Sequence, residues 1–163
     1  DVERLMEMGV SRVVVGTKAL EPRFLANVTA KAPQKIVLSL DLRREEIQVE
    51  GWLKGSKKSV FDFFKELRPF AISCLVITDI DRDGMLSGID LTKTKRMIEE
   101  APFPVIVSGG VGSPDDIQAL SNLERQMKEP SKLEGVIIGK ALYEGRVELK
   151  NALKMACARR ASK

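Results

Sequence analysis

The sequence contains no histidine and is poor in cysteine, tryptophan and tyrosine. Without histidine, acid–base chemistry must depend on carboxylates, lysine, tyrosine or cysteine. The two cysteines, Cys74 and Cys157, are too few for a disulfide framework, and Cys74 opens an apolar run as a buried small side chain would. Neither of them forms a cluster typical of a metal site. We therefore expect no bound metal, and the cysteine content fits a cytoplasmic protein.

Long apolar runs and a strong charge imbalance are also missing. No run approaches the ~20 apolar residues that cross a bilayer, so we expect no membrane partner. The net charge of +4 suits an anionic ligand. Charges of both signs alternate along the chain, and the basic cluster at residues 154–163 is better explained as a solvated helix end. Nucleic acid is therefore not expected as a partner.

Five short apolar runs rich in β-branched residues alternate with helical patterns. Unalternating runs of this length are typical of strands buried on both faces. The predicted strands are residues 12–15, 35–40, 74–78, 104–107 and 135–138. The predicted helices are residues 1–8, 22–30, 59–67, 91–100, 114–123 and 148–158. This alternation predicts an α/β fold of about five parallel βα units in a single domain over residues 1–163.

Glycine turns or acidic residues follow each predicted strand at intervals of one βα unit. In a (β/α)8 barrel, the strand carboxyl ends share the face that carries the chemistry, and an open doubly wound sheet would also gather them. The stretch Val13–Leu20 resembles Val136–Leu142, allowing one gap, and the two copies lie four units apart. Such an internal repeat favours a barrel built from two halves.

Three of these turns are candidates for phosphate binding. Ser108-Gly109-Gly110 and Gly139-Lys140 follow successive strands, so they are expected side by side. The glycines could simply form βα turns, but backbone N–H groups of glycine-rich turns also bind phosphate well. Gly16-Thr17 would lie opposite by the repeat and form a second site. Two phosphate sites at opposite rims predict a long, bisphosphorylated ligand.

Acidic residues accompany the same strand ends. Asp41 could cap the following segment, but its place at this rim favours an acid–base role. Asp79, Asp81 and Asp83 alternate before Gly84, which resembles a calcium loop. However, a strand rather than a helix precedes them, and Asp90 only approximates the last ligand. We therefore favour loop acids over a calcium site.

Two further side chains are candidate ligand contacts. Arg82 lies among the acids of this loop and is expected to pair with one of them. Trp52, the only tryptophan, lies in the long polar segment after Asp41. It could pack in the core, or it could stack on a heterocyclic ligand from a loop.

Taken as a set, these motifs resemble one known family. They are the segments at residues 39–41, 49–53, 78–90, 105–117 and 135–146. In order and spacing they are similar to the histidine-biosynthesis phosphoribosylformimino-AICAR ribotide isomerases, which are (β/α)8 barrels with two phosphate sites. The cyclase subunit of imidazole glycerol phosphate synthase shares the Asp-Arg-Asp-Gly and Ser-Gly-Gly motifs. The segment at 139–145 and Thr78-Asp79 favour the isomerases.

The resemblance implies a cofactor-free mechanism, an Amadori rearrangement of an aminoaldose to an aminoketose. Asp41 would be the general acid that opens the ribose ring, while Thr78 and Asp83 would orient the substrate. Trp52 would stack on the heterocycle. Arg82 is assigned, like Trp52, to substrate binding. The three glycine turns named above would hold the two phosphates.

The resemblance also leaves a part of the family pattern unmatched. A (β/α)8 barrel takes roughly 200–250 residues, and the five predicted strands correspond to strands 4 to 8 of the family. The family's general base, an aspartate at the end of strand 1, has no counterpart. Strands 1 to 3 could belong to the same, longer chain, which we favour, or come from another chain or copy. Otherwise this is an inactive partial barrel that binds phosphorylated ligands.

Overall fold

The computed structural model describes residues 1–49, 51, 54–127 and 132–157. Seven strands are described: β1 Val13–Val15, β2 Ile36–Arg43, β3 Glu46–Val49, β4 Lys54–Ser59, β5 Ile72–Asp79, β6 Val105–Ser108 and β7 Leu133–Val136. The α-helices are α1 Val2–Glu7, α2 Pro22–Lys31, α3 Val60–Leu67, α4 Leu91–Glu100, α5 Pro114–Gln126, α6 Lys140–Tyr143 and α7 Leu149–Cys157. A 3₁₀ turn covers Thr17–Leu20.

Five of the strands form a parallel sheet in the order β1-β2-β5-β6-β7. Each of them overlaps one of the five strands predicted from the sequence, and the helices between them match the predicted helices to within a few residues. The predicted start of α5 is also confirmed, with Ser113 as its N-cap and Pro114 as its first residue. The α/β class with a parallel sheet is therefore confirmed.

The segment after Asp41 differs from the prediction of a long polar loop. Strand β2 continues through Asp41 to Arg43, and β3 then turns back to pair with it antiparallel. Strand β4 pairs with β3 to complete a hairpin. The prediction was wrong because β2 extends beyond the short strand β1. The backbone groups of β3, along which polar residues alternate, form their hydrogen bonds with this extension of β2. Trp52 lies outside the described residues.

The main core lies between the sheet and the helices. Leu38, Leu75 and Val105 of three adjacent parallel strands are at most 1% exposed, and they belong to the same cluster as Phe63 and Leu67 of α3. Burying a side chain of this size contributes about 1.5–3 kcal/mol. This packing holds the strands in register and fixes where their carboxyl ends lie.

The opposite face of the sheet carries a smaller cluster of Val37, Cys74 and Val76, with Ile106 packed against it. The guanidinium of Arg12, just before β1, donates to the Glu134 carboxylate on β7 and to Cys74 Sγ at 3.4 Å. Strands β1 and β7 are the two outer strands of the parallel order. An ion pair between them means that the sheet curls, with the face of Cys74 on the inside.

Candidate functional site

A row of polar residues crosses four strands near the carboxyl edge of this inner face. Gln48 pairs with Asp41, Asp41 with Thr78, and Thr78 with Ser108. Register partners on adjacent strands lie on one face of a sheet, about 4.8 Å apart. Because Asp41 lies four residues after Val37 on β2, the row is on the same face as the small inner cluster. The carboxyl, hydroxyl and amide groups of this row are thus held by buried strands.

Asp41 lies in a pocket with the first candidate phosphate turn. The pocket is lined by Gly16, Thr17, Leu20, Ser39, Leu40, Asp41, Ile47 and Gln48. Gly16 follows β1 and starts the 3₁₀ turn, which is anchored by the Ala19 N–H donating to the Gly16 carbonyl at 2.8 Å. The structure therefore brings Asp41 together with the predicted Gly16-Thr17 turn. Gln48, which we did not predict, is 8% exposed and completes the wall.

A second pocket gathers the other two candidate phosphate turns with Asp83. Its lining residues are Asp83, Gly84, Leu86, Ser108, Gly109, Gly110, Val111, Ile137, Gly139 and Lys140. Asp83 is exposed on the loop after β5, while the glycines follow β6 and β7. The predicted neighbourhood of Ser108-Gly109-Gly110 and Gly139-Lys140 is therefore observed.

The glycines of these turns are required for different reasons. Gly109 and Gly110 have φ of +87° and +89°, and a Cβ on them would lie 2.6 Å from the Asp79 carbonyl oxygen and 2.8 Å from that of Gly88. The turn itself therefore demands glycine there. Gly16 and Gly139 both have φ of −102°, and a Cβ on either would meet nothing within 4 Å. Packing among the described residues does not demand glycine at these two positions, so the backbone there is open on the Cβ side.

Lys140 is the only cationic side chain that lines the second pocket as the structure describes it. Its Nζ lies 3.6 Å from Glu144 Oε1, and its side chain is 52% exposed. An exposed i,i+4 pair of this kind contributes only about 0.3–0.5 kcal/mol. The ammonium can therefore leave Glu144 and turn toward an anion at low cost.

Arg82 lines neither of these two pockets. Its Nη1 donates to the Gly88 carbonyl oxygen at 3.0 Å, and its Nε lies 3.9 Å from Asp79 Oδ2, so it pairs loosely with an acid of the loop as expected. Lys93 Nζ approaches the same Asp79 oxygen at 2.9 Å. Arg82 thus supports its own loop in this structure, and substrate binding by Arg82 stays a prediction.

Several residues of this region escaped the sequence reasoning. Gln48 sits on a strand that was taken for a loop, although the alternation in residues 46–49 could have indicated one. Lys93 of α4 reaches Asp79 at the end of β5, a contact with no local signal. Asp116 stands three residues after the N-cap Ser113, the spacing of a capping box, which could have identified it. The carboxylate of Asp116 accepts the Ser113 N–H at 3.0 Å.

Cys74 does not offer a nucleophile. Burial raises the pKa of its thiol to about 11, with a further contribution from the negative charge of Glu134. The thiol is therefore protonated near neutral pH, and the thiolate is the reactive form.

Among the residues described, no group of three or more histidine, cysteine or acidic side chains is placed to hold a metal ion. In the same part of the chain, no helix is long and apolar enough to cross a membrane.

Comparison with known proteins finds relatives in the family that the motifs resemble. Relatives from Syntrophomonas wolfei, Lachnoclostridium phytofermentans and Novosphingobium aromaticivorans are 42%, 38% and 41% identical over 158, 157 and 151 residues. These matches cover 96%, 95% and 92% of this chain, but 63%, 62% and 61% of the relatives. Each relative is named 1-(5-phosphoribosyl)-5-((5-phosphoribosylamino)methylideneamino) imidazole-4-carboxamide isomerase.

The chain spans about three fifths of the length of these curated relatives. The profile of the family described as "Histidine biosynthesis protein" matches residues 1–148, which is most of the chain. The chain therefore belongs to the histidine biosynthesis protein family.

Proposed function

We propose that this protein catalyses the aldose–ketose isomerisation of a bisphosphorylated aminoaldose in histidine biosynthesis. One observation carries the proposal: a single edge of the sheet presents two phosphate-type pockets, and each contains one of the predicted aspartates. Asp41 lines the pocket of Gly16-Thr17, and Asp83 lines the pocket of Ser108–Gly110 and Gly139-Lys140. The names of the relatives support the same substrate class, a bis-phosphoribosyl imidazole carboxamide.

In the proposed mechanism, Asp41 donates its proton to the ribose ring oxygen as the C1′–oxygen bond breaks. The ring opens to an iminium, and removal of the C2′ proton by a general base gives an enolamine that tautomerises to the aminoketose. Thr78, beside Asp41 in register, orients the opened sugar through its hydroxyl, and Asp83 does so from the loop after β5. Trp52 stacks on the imidazole ring. The chemistry needs no redox cofactor, because C2′ is oxidised to the ketone as C1′ is reduced within the same molecule, and the proton taken from C2′ balances the one given to the ring oxygen.

We propose that the full catalytic unit is a (β/α)8 barrel in which this chain, as a single domain, supplies strands 4 to 8. The curled sheet of five parallel strands and the 61–63% coverage of the relatives support this assignment. The general base then belongs to strand 1, from the same polypeptide or from another chain or copy. The proposal places the protein in the cytoplasm with a small phosphorylated substrate as its ligand.

The proposal is tested by incubating the intact protein with the bisphosphorylated aminoaldose and following the ketose by its chromatographic retention. We expect conversion without added metal, ammonia or glutaminase. The same assay with the ketose and ammonia separates the isomerase from the cyclase, which would consume the ketose instead. Consumption of the ketose without conversion of the aldose would replace the isomerase by the cyclase. Binding without any turnover would leave an inactive, ligand-binding partial barrel.

A further inference from the structure

Asp116, in the first turn of α5, joins two loops through its two carboxylate oxygens. Oδ2 accepts the backbone N–H groups of Gly112 at 2.9 Å and Ser113 at 3.0 Å, and the Ser113 hydroxyl at 3.3 Å. Oδ1 accepts the backbone N–H of Ile89 at 3.2 Å. Gly112 and Ser113 belong to the loop after β6, whereas Ile89 belongs to the loop after β5. One carboxylate therefore accepts hydrogen bonds from both loops.

The two loops also touch directly, at a distance that only glycine allows. The Gly88 N–H donates to the Gly110 carbonyl at 3.0 Å. A Cβ on Gly112 would lie 2.6 Å from the Leu86 carbonyl oxygen. The backbones of the two loops are thus in contact, and Arg82 braces the first loop through its bond to the Gly88 carbonyl.

These loops form most of the second phosphate-type pocket. Asp83 and Leu86 come from the loop after β5, Ser108 is the last residue of β6, and Gly109 to Val111 come from the loop after β6. The distance between the Asp83 carboxylate and the glycine turn therefore depends on how firmly one loop is held on the other. Asp116 lines neither pocket that we assign to the substrate.

We propose that Asp116 is a positioning residue that fastens the Asp83 loop to the Gly109–Ser113 loop, so that the two act as one rigid wall of the phosphate site. The link between loops stands on the hydrogen bonds alone, while its effect on turnover rests on the proposed function. Hydrogen bonds to a carboxylate are stronger than those between neutral groups. Asp116 therefore does more than cap α5, because a cap would need only Gly112 and Ser113.

The test is hydrogen exchange of the intact protein with Asp116→Ala, read at the Gly88 N–H. The acceptor of that group is Gly110, which the substitution does not touch, so a pure helix-capping role leaves its exchange unchanged. If Asp116 couples the loops, we expect the Gly88 N–H to exchange at least about tenfold faster, the scale of a lost charge-assisted hydrogen bond. The exposed neighbour Asp115→Ala removes the same charge from the same turn and should leave Gly88 protected. Fast exchange confined to Gly112, Ser113 and α5 would overturn the proposal.

Two further variants keep the test decisive if Asp116→Ala does not fold. Asp116→Asn retains one carbonyl oxygen but turns the other acceptor into a donor, so it can hold only one loop. Gly112→Ala leaves Asp116 intact and pushes the loops apart against Leu86. Both should raise Gly88 exchange and weaken the binding of inorganic phosphate by about tenfold or more. Wild-type Gly88 protection in both variants would refute the coupling, and this result does not depend on whether the protein is an isomerase.

Discussion

Asp41 and Thr78 are register partners on adjacent parallel strands, on the face of the sheet turned away from the main core. The strands that carry them, β2 and β5, are almost entirely buried and are held by the core on their other face. The carboxyl and hydroxyl groups are therefore positioned by strand pairing rather than by a mobile loop. Sites on such elements hold their geometry more tightly than sites on loops.

Thr78→Val tests the hydroxyl of this pair. Thr78 is 9% exposed, and valine has nearly the same shape, so the strand should remain intact. If the Thr78 hydroxyl orients the substrate as proposed, we expect kcat to fall by about 10²–10³-fold, the usual cost of removing one preorganised hydrogen-bonding group. The thermal midpoint should stay close to that of the wild type. A wild-type kcat would remove Thr78 from the catalytic set.

Gly139→Ala tests whether the candidate turn at Gly139-Lys140 binds phosphate. A methyl group at this position meets nothing within 4 Å, so we expect little change in stability. If a phosphate approaches the backbone there, the methyl group should raise the Kd of inorganic phosphate and the KM of the substrate about tenfold or more. Titration calorimetry and initial rates measure the two. Unchanged values of both would exclude a phosphate at Gly139.

Gly109→Ala, unlike Gly139→Ala, should lower the stability of the protein. Its Cβ would lie 2.6 Å from the Asp79 carbonyl oxygen, and the residue has a φ of +87°. Both features predict a loss of stability of about 1–3 kcal/mol before any effect on binding. Chemical denaturation measures this loss. A variant as stable as the wild type would show that the turn has another accessible conformation.

The buried thiol of Cys74 should make the free energy of unfolding depend on pH. Its thiol pKa is raised to about 11 from an ordinary value of 9.0, mainly by burial. Below pH 9 both folded and unfolded states keep the proton, and the full stability is present. Between about pH 9 and 11 only the unfolded state releases it, so stability falls by up to about 1.4 kcal/mol per pH unit.

The pH effect is measured as the difference between the wild type and Cys74→Ala in denaturation at pH 8 to 11. Subtracting the variant removes the titration of lysines that both proteins share. Glu134→Gln should lower the pKa of the thiol, because the negative charge of Glu134 contributes to raising it. An equal pH dependence of the wild type and Cys74→Ala would contradict this assignment.

The sequence predicts the parallel strands and helices well because each carries a local signal. Runs such as residues 74–78 have the β-branched, unalternating composition of buried strands, and Ser113-Pro114 marks a helix start. The internal repeat also has a structural counterpart, since Gly16 and Gly139 have the same φ and each precedes a short helical turn. Local patterns therefore sufficed for the order of the elements and for the edge that carries the candidate site.

The parts that were missed have two causes. The hairpin of β3 and β4 is local, since Arg43 pairs with Glu46 and Val49 with Lys54, and its signal was the short alternation in residues 46–49. The bond from Ile89 to Asp116, 27 residues away, and the ion pair of Lys93 with Asp79 join distant segments, which no local pattern reveals. The roles of the site residues stay predictions until they are tested by mutation.

The central claim is that Asp41 is the general acid of an aldose–ketose isomerase. The most direct measurement is the turnover of the bisphosphorylated aminoaldose by the intact protein carrying Asp41→Asn, with Asp62→Asn on α3 as the matched control. We predict that Asp41→Asn lowers kcat by about 10²–10⁴-fold, the usual contribution of a general acid, while the fold and the binding of substrate persist and the control keeps its full rate. Near-normal turnover by Asp41→Asn would contradict the account.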